Sequence, residues 1–500
     1  MEAPAEPGAI RPVGPSGKFN TSRHHLGLCR CVILTGRYSV ADEKEADRVK
    51  ADDGSFRDSL RAALAAVVNQ HPMLRVGISH EGSANPEFIA LHSIDFQQLI
   101  DWRSHTDHYD DAILQKSLEK QHDQTWQHVD SQAPWKIIVN QPPASQHNAG
   151  TYFVDISFAF HHVLGDAESG LIFHRNLARA LNRNVNVSPS AIDRKHDVLS
   201  IKPATNLPGP LEDVVSLRTS WVYIVCVVGF MIWSKIAPAW LRPDPAKGPW
   251  GGPKITFEPF KTSLSIIDIP HSTVSATIKK CREKGTTLTP LLHALILRSL
   301  SSRLDSTDAA SFRASTPISL RRFANPGFDR LNTIHCLVTA HSFDYKESLV
   351  STIRATGEDS DAGIWSAATS LGQSLRSKVS SLPKNDQMGL LGFVSDWKKF
   401  WADKLGTFRN ESWACSNAGS LKVADAGCQA NGDAWRIDRL VFTQGALPTG
   451  AAFQVSVAGV QNKGITITLS CQGGVIDEAL VTAVGEDMEA SLAGFASSGE

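Results

Sequence analysis

The chain has almost no excess charge, no paired-cysteine motif and no apolar run of full membrane-spanning length. Fifty Lys plus Arg stand against 51 Asp plus Glu, a formal net charge of -1. A nucleic-acid binder carries a clear basic excess, so that class is disfavoured, and an acidic solvating tail is excluded. Of the eight cysteines only Cys29 and Cys31 lie close together. Without a C-x-x-C pair there is no zinc ribbon and no dithiol redox motif, and the thiols are expected to be reduced and mostly buried. The opening MEAPAEPGAIRPVGPSG lacks the apolar core of a secretory signal and the Arg-rich pattern of a transit peptide. An intracellular, cytoplasmic location is therefore expected. No short-period repeat is visible.

What is present is a globular composition, 42% hydrophobic and 20% charged, over 500 residues. Length alone suggests about three domains of ~150 residues, but two large lobes fit equally well. Residues 1–18 read as a flexible Pro/Gly arm. Strands are expected at Leu26–Val40, Met73–Ile78, Glu87–Ile94 and Trp135–Asn140, and helices at Ser55–Asn69 and near Asp110–His122. Pro, Asn and Ser make Asn182–Pro210 look like a linker. A second half restarts with a strand at Lys261–Ile269, a helix near His271 and an amphipathic helix at Thr287–Leu304. Strands follow at Arg313–Leu320, Thr333–Phe343, Ala434–Thr443, Phe453–Val460 and Gly464–Cys471, then a closing helix from Asp477. The expected division is an N-terminal lobe at 19–200, a crossover at 201–254 and a C-terminal lobe at 255–500.

The crossover holds TSWVYIVCVVGFMIWS at 219–234, sixteen residues without a charge. A spanning helix needs ~20 apolar residues, so the tract is read first as a buried helix, then as an interfacial one, and last as a span. The flanking Lys235, Pro238, Trp240 and Arg242 suit an interfacial anchor.

The stretch TYFVDISFAFHHVLGDAESGLIFHRNLARALN, 151–182, points to chemistry. Val154, Ile156, Phe158 and Phe160 alternate with smaller or polar residues, the period of a strand. The chain then meets His161-His162, turns at Gly165 and opens a helix after Asp166. Adjacent residues on a strand point to opposite faces, so His161 and His162 cannot readily share a metal ion. The plain structural readings are a helix N-cap for Asp166 and a hydrogen-bonded core role for a histidine.

His161-His162-Val163-Leu164-Gly165-Asp166 resembles the H-H-x-x-x-D signature of the CoA-dependent acyltransferase superfamily, which includes chloramphenicol acetyltransferases, plant BAHD acyltransferases and nonribosomal-peptide condensation domains. The wider pattern is most similar to the fungal alcohol acetyltransferase branch, through HPMLRVGI at 71–78, PWGGPKITF at 249–257, CREKGTTLTPLLHALILRSL at 281–300 and WACSNAGSL at 413–421. The plant D-F-G-W-G motif is absent, and Ala167 stands where the superfamily usually has Gly. The resemblance implies an α/β fold of two chloramphenicol-acetyltransferase-like lobes with the active site in a tunnel between them. It implies transfer of an acyl group, acetyl in the first instance, from acyl-CoA to a hydroxyl of a small lipophilic, secondary-metabolite alcohol, with no permanently bound cofactor. His162 is then the general base and Asp166 the structural acid, paired with Arg321 or the adjacent Arg322. His161 packs behind the turn. Asn417, Thr443 and Gln444 are candidate oxyanion or substrate contacts, and Lys279, Lys280, Arg282 and Lys284 could meet CoA phosphates. A monomer is expected, with peripheral membrane or lipid-droplet contact through 219–234. The competing readings are a condensation-like catalyst using a carrier-protein thioester, and a scaffold or cyclase on the same fold.

Overall fold

The computed structural model describes residues 8–40, 53–146, 152–183, 192–193, 195–236, 248–356, 361–422 and 435–497. Along the chain, the elements that build the site are α1 (Gly14–His25), β1 (Val32–Val40), α2 (Asp53–Gln70), β2 (Ile100–Ser104), α3 (Asp111–His122), β3 (Trp135–Gln141), β4 (Tyr152–Phe160) and α4 (Ala167–Asn182). After them come α5 (Trp221–Ile236), β5 (Thr262–Pro270), α6 (His271–Glu283), α7 (Leu288–Arg303), β6 (Phe312–Ser319), β7 (Val338–Tyr345), α8 (Asp361–Ser381) and β8 (Trp413–Leu421). The chain ends with β9 (Trp435–Gln444), β10 (Phe453–Val460), β11 (Gly464–Gln472) and α9 (Glu478–Ser497).

Two mixed sheets carry the architecture. The first has five strands in the order β9–β1–β4–β3–β2, and the second six in the order β5–β11–β10–β8–β6–β7. Strand side chains alternate faces, and β1 shows the consequence. Val32 and Leu34 join the main N-terminal core with the α2 stripe of Phe56, Leu60, Leu64 and Val68. Cys31, just before the strand, and Ile33 face the other way, toward Leu114 and Leu118 of α3. In the second sheet Phe453, Val455 and Val457 of β10 pack with α7 and α9. The alternate residue Ser456 faces β9, where it meets the Gln444 amide at 3.1 Å.

β9 ties the two lobes together. It lies within the 255–500 segment yet pairs antiparallel with β1, Trp435 opposite Val40 through Gln444 opposite Val32. Thr468 of β11 donates to the Phe442 carbonyl at 2.6 Å. At the far end of β9, Trp435 stacks on Phe56 at 5.4 Å.

The start of the chain is not a flexible arm over its described part. Ala9–Pro12 pairs antiparallel with Glu87–Ala90, and α1 follows with Gly14, Ser16, Gly17 and Asn20 buried. Gly14 turns at φ 81°, and a Cβ there would meet Pro210 at 2.5 Å. The Ser16 amide then reaches Glu212 at 2.8 Å. Composition alone misread this segment because Pro15 sits at a helix N-terminus, where its missing N–H costs nothing. Residues 201–214 are also packed rather than loose, with Ile201, Ala204, Leu207 and Leu211 buried.

The apolar tract forms α5, and the favoured buried-helix reading is overturned. Trp221, Val222, Val225, Phe230 and Trp233 are all exposed. No helix among the described residues is long and apolar enough to cross a membrane. Pro238, Trp240 and Arg242 lie outside the described residues.

Candidate active site

The turn from His161 to Asp166 is built from backbone hydrogen bonds as much as from side chains. β4 ends at Phe160, where the His161 amide reaches the Pro134 carbonyl at 2.9 Å. Asp166 caps α4 in extended geometry, its carboxylate accepting from the Ser169 amide at 2.9 Å. Such a cap supplies a partner for an otherwise orphaned N–H and is worth about 1 kcal/mol. Gly165 is required by close approach, since a Cβ there would stand 2.6 Å from the Ser169 Cβ. Ala167, where the superfamily usually has Gly, opens the helix.

His162 donates from Nδ1 to the Gly165 carbonyl at 3.0 Å. That bond fixes the tautomer and leaves Nε2 as the lone-pair nitrogen. Burial lowers the imidazole's proton affinity below the ordinary range, and the positive field of Arg23 adds to this. The ring is thus held neutral near pH 7, the state a proton acceptor requires. His162 lines a cavity of about 110 Å³ with Val32, Phe442 and Gln444 from the first sheet and Pro317, Ser319, Val338 and Ser416–Ala418 from the second. The cavity therefore lies at the junction of the lobes.

Asp166 performs two structural jobs at once. Its Oδ1 meets Arg321 Nη2 at 2.9 Å and its Oδ2 accepts from the Leu337 amide at 3.0 Å. Burial alone would raise this carboxyl, but the Arg321 charge and the Leu337 N–H bring it below the usual range. Arg321 also donates to the carbonyls of Thr333 and His335, at 2.7 Å each. These bonds explain why the strand expected from Thr333 begins only at Val338: the backbone of 333–337 wraps the ion pair instead. Arg321 is the arginine that meets Asp166, while Arg322 is exposed and lies over Phe323.

His161 packs behind the turn. Its Nδ1 accepts from the Val163 amide at 3.0 Å and its Nε2 donates to Glu81 at 2.9 Å. His24 of α1 reaches the same Glu81 oxygen from Nδ1 at 2.8 Å, and its Nε2 accepts from the Trp126 amide at 3.3 Å. These three side chains stand close enough to hold a metal ion. Their hydrogen bonding argues against it. A histidine ligating through one nitrogen carries its proton on the other, but here each far nitrogen accepts a backbone N–H.

Two of the proposed cavity contacts are in place and one is not. Asn417 and Gln444 line the cavity. Thr443 alternates to the opposite face of β9, where its hydroxyl is fully buried against His122 Nε2 at 2.8 Å. The hydroxyls of Ser319 and Ser416 line the cavity and carried no sequence signal. Cys336 was missed for the same reason: 174 residues from His162, it places its sulfur 3.7 Å from Nδ1. Burial pushes the Cys336 thiol well up, so it stays protonated. Lys279, Lys280, Arg282 and Lys284 belong to α6 and its cap, which pack against α9 and β11, away from the cavity.

A two-lobed α/β fold with a neutral histidine and an Asp–Arg pair at the lobe junction defines the class of CoA-dependent acyltransferases and condensation domains. Solved structures of that class superpose over nearly the whole chain. The TRI3 trichothecene 15-O-acetyltransferase from Fusarium sporotrichioides gives a TM-score of 0.70 at 13% identity, covering 97% of this chain and 95% of that one. The epimerization domain from the third module of tyrocidine synthetase B gives 0.56 at 12% identity, covering 99% of each. Within the class, the alcohol acetyltransferase family matches residues 52–482, and the chain belongs to that family. A probable alcohol acetyltransferase of Fusarium pseudograminearum, FCK4, is 28% identical over 99% of this chain and 96% of its own length. Another from Aspergillus fumigatus, crmB, is 23% identical over 94% and 96%. The protein is an acyltransferase.

Proposed function

We propose that this enzyme transfers an acetyl group from acetyl-CoA to a hydroxyl of a small lipophilic secondary-metabolite alcohol, with His162 as general base. The observation that carries this reading is the Nδ1–Gly165 bond, which leaves Nε2 as the proton-accepting nitrogen of a half-buried, neutral ring that lines the cavity. The alcohol's proton passes to Nε2 as its oxygen attacks the thioester carbonyl. The tetrahedral intermediate then collapses, the C–S bond breaks, and the proton goes from His162 to the leaving thiolate. A protonated Cys336 is no nucleophile, so the attack is direct and needs no acyl-enzyme. The cavity of about 110 Å³ beside His162 can take an acetyl group and a carbinol. Ser319, Ser416, Asn417 and Gln444 line the same cavity and are the candidates for contacts to the oxyanion.

The exposed apolar surface of α5 supports peripheral attachment to a membrane or lipid droplet by a monomer, which would bring the enzyme to a lipophilic acceptor. The test of the reaction is thiol release and product mass, with acetyl-CoA, longer acyl-CoAs and acyl carrier-protein thioesters offered against a panel of alcohols. Turnover with acetyl-CoA and an acetylated alcohol of +42 mass (about, by one acetyl for one hydrogen) is expected. Turnover with carrier-protein thioesters alone would replace the proposed donor.

A further inference from the structure

α1 and the turn at residues 80–85 interlock behind the His161–His162 pair. Glu81 accepts hydrogen bonds on one oxygen from His24 of α1 and His161 of the motif, at 2.8 and 2.9 Å. Lys18 reaches Asn85 at 3.3 Å. The glycine at 82 lets the turn lie against α1, since a Cβ there would stand 2.4 Å from the His25 ring. The rings of His24 and His161 are 4.5 Å apart. On its other side α1 docks through Ser22, whose hydroxyl accepts from the Trp401 indole at 2.9 Å, and through Phe19 against Trp397. The helix therefore bridges the lobes while touching the motif.

We propose that the His24–Glu81–His161 cluster is a positioning device for the catalytic base: Glu81 clamps α1 against the histidine turn and so sets where Arg23 stands relative to His162. This rests on the reading of His162 as general base. Arg23 adjoins His24 in sequence, donates to Asn20 at 2.8 Å and lies over Phe19 at 4.2 Å. Asn20 in turn stands beside the Cys336 sulfur, which neighbours His162. The charged and titratable groups around His162 are Arg23 from α1, Asp166 and His161 from its own turn, Glu168 of α4 in the same cavity, and Cys336 from the segment before β7. The clamp is self-consistent in charge. Burial alone would raise the Glu81 carboxyl, but the hydrogen bonds from His161 and His24 hold it down at about 2, so it is ionised. Burial keeps His161 neutral, down at about 4, and a neutral ring with its proton on Nε2 is the donor that Glu81 needs.

Two measurements test the clamp. The first is the pH profile of kcat/KM, with kcat and KM separated, for Glu81→Ala and Glu81→Gln. Releasing Arg23 from His162 lets the imidazole hold its proton more readily, so the acid limb of Glu81→Ala moves to higher pH. Its kcat falls between about tenfold and a hundredfold, with KM little changed. Glu81→Gln keeps an acceptor oxygen for both histidines and restores most of the rate. The second measurement reads His162 without turnover, as its rate of carbethoxylation by diethyl pyrocarbonate against pH, followed by peptide mass spectrometry. It shows the same upward shift in Glu81→Ala. Should that variant not fold, His24→Phe removes the donor, keeps the ring bulk and is read in the same way. A loss of activity that only follows the folded fraction, with the acid limb and the carbethoxylation profile in place, overturns the proposal. If the wild-type enzyme transfers no acetyl group at all, the functional reading falls while the carbethoxylation profiles still decide the clamp.

Discussion

At the scale of single residues, the proposed mechanism has one group, His162, that moves a proton, and others that hold it still. His162 has its tautomer set by a backbone carbonyl and its basicity lowered first by burial and then by Arg23. A general base at His162 works only when unprotonated, so on the proposed mechanism activity is lost as pH falls through its pKa. That pKa lies below the ordinary imidazole value, and kcat/KM should hold its plateau into mildly acidic solution. Arg23→Met should raise the pH of the acid limb, as a pH–rate profile will show. Asp166 and Arg321 are buried partners, and removing one strands the other's charge. Arg321→Ala should therefore cost about 3–5 kcal/mol of stability, measurable as a lowered urea midpoint. The turn was legible because a periodic strand runs into the His pair and an N-cap signal; the roles proposed for His162 and Asp166 came from the family resemblance alone. Glu81, His24 and Cys336 were not legible. Each is brought to the motif by tertiary packing across 80, 137 and 174 residues, and nothing local marks them.

At the scale of elements, long periodic segments were readable and segments defined by their neighbours were not. The α2 stripe and the alternation in β4 are internal to their own sequences, so both were found within a few residues. α1 was missed because its sequence, GPSGKFNTSRHH, has no apolar stripe and is buried through small and polar residues. β8 and α8 escaped assignment because Gly, Ser and Asn interrupt their patterns, though β8 supplies Ser416 and Asn417 to the cavity. α5 was assigned inward on composition, whereas Trp221, Val222, Val225, Phe230 and Trp233 face out. Replacing Trp221, Val225 and Phe230 by Ser should leave the melting temperature within a few degrees while reducing co-sedimentation with lipid vesicles. Undiminished sedimentation would contradict membrane attachment through this helix. Gly165→Ala would drive a methyl into Ser169 and loosen the Asp166 cap, so both thermal stability and kcat should fall.

At the scale of the whole molecule, the two lobes share their active site and a strand. That β9 pairs with β1 could not be read from 435–444 itself, because its pattern fits an interior strand of either sheet. The fold also buries several histidines neutral. Burial holds His122 and His293 down at about 3, and His174 and His335 down at about 4. For each, the unfolded chain binds a proton near pH 6.5 that the folded state refuses. Their stabilising effect is complete above that pH and is lost as pH falls from about 6.5 toward 3–4, by up to about 1.4 kcal/mol per pH unit for each ring. The melting temperature should accordingly drop steeply between pH 6.5 and pH 5 (about those limits), and scanning calorimetry will show whether it does. The central claim, that one half-buried neutral histidine between the lobes activates the alcohol, is tested most directly by single-turnover thiol release. The comparison is His162→Ala against wild type, with saturating acetyl-CoA, an accepted alcohol and matched folded fractions. A fall of about 10²–10⁴-fold is the predicted result; a rate within a few-fold of wild type would contradict the account.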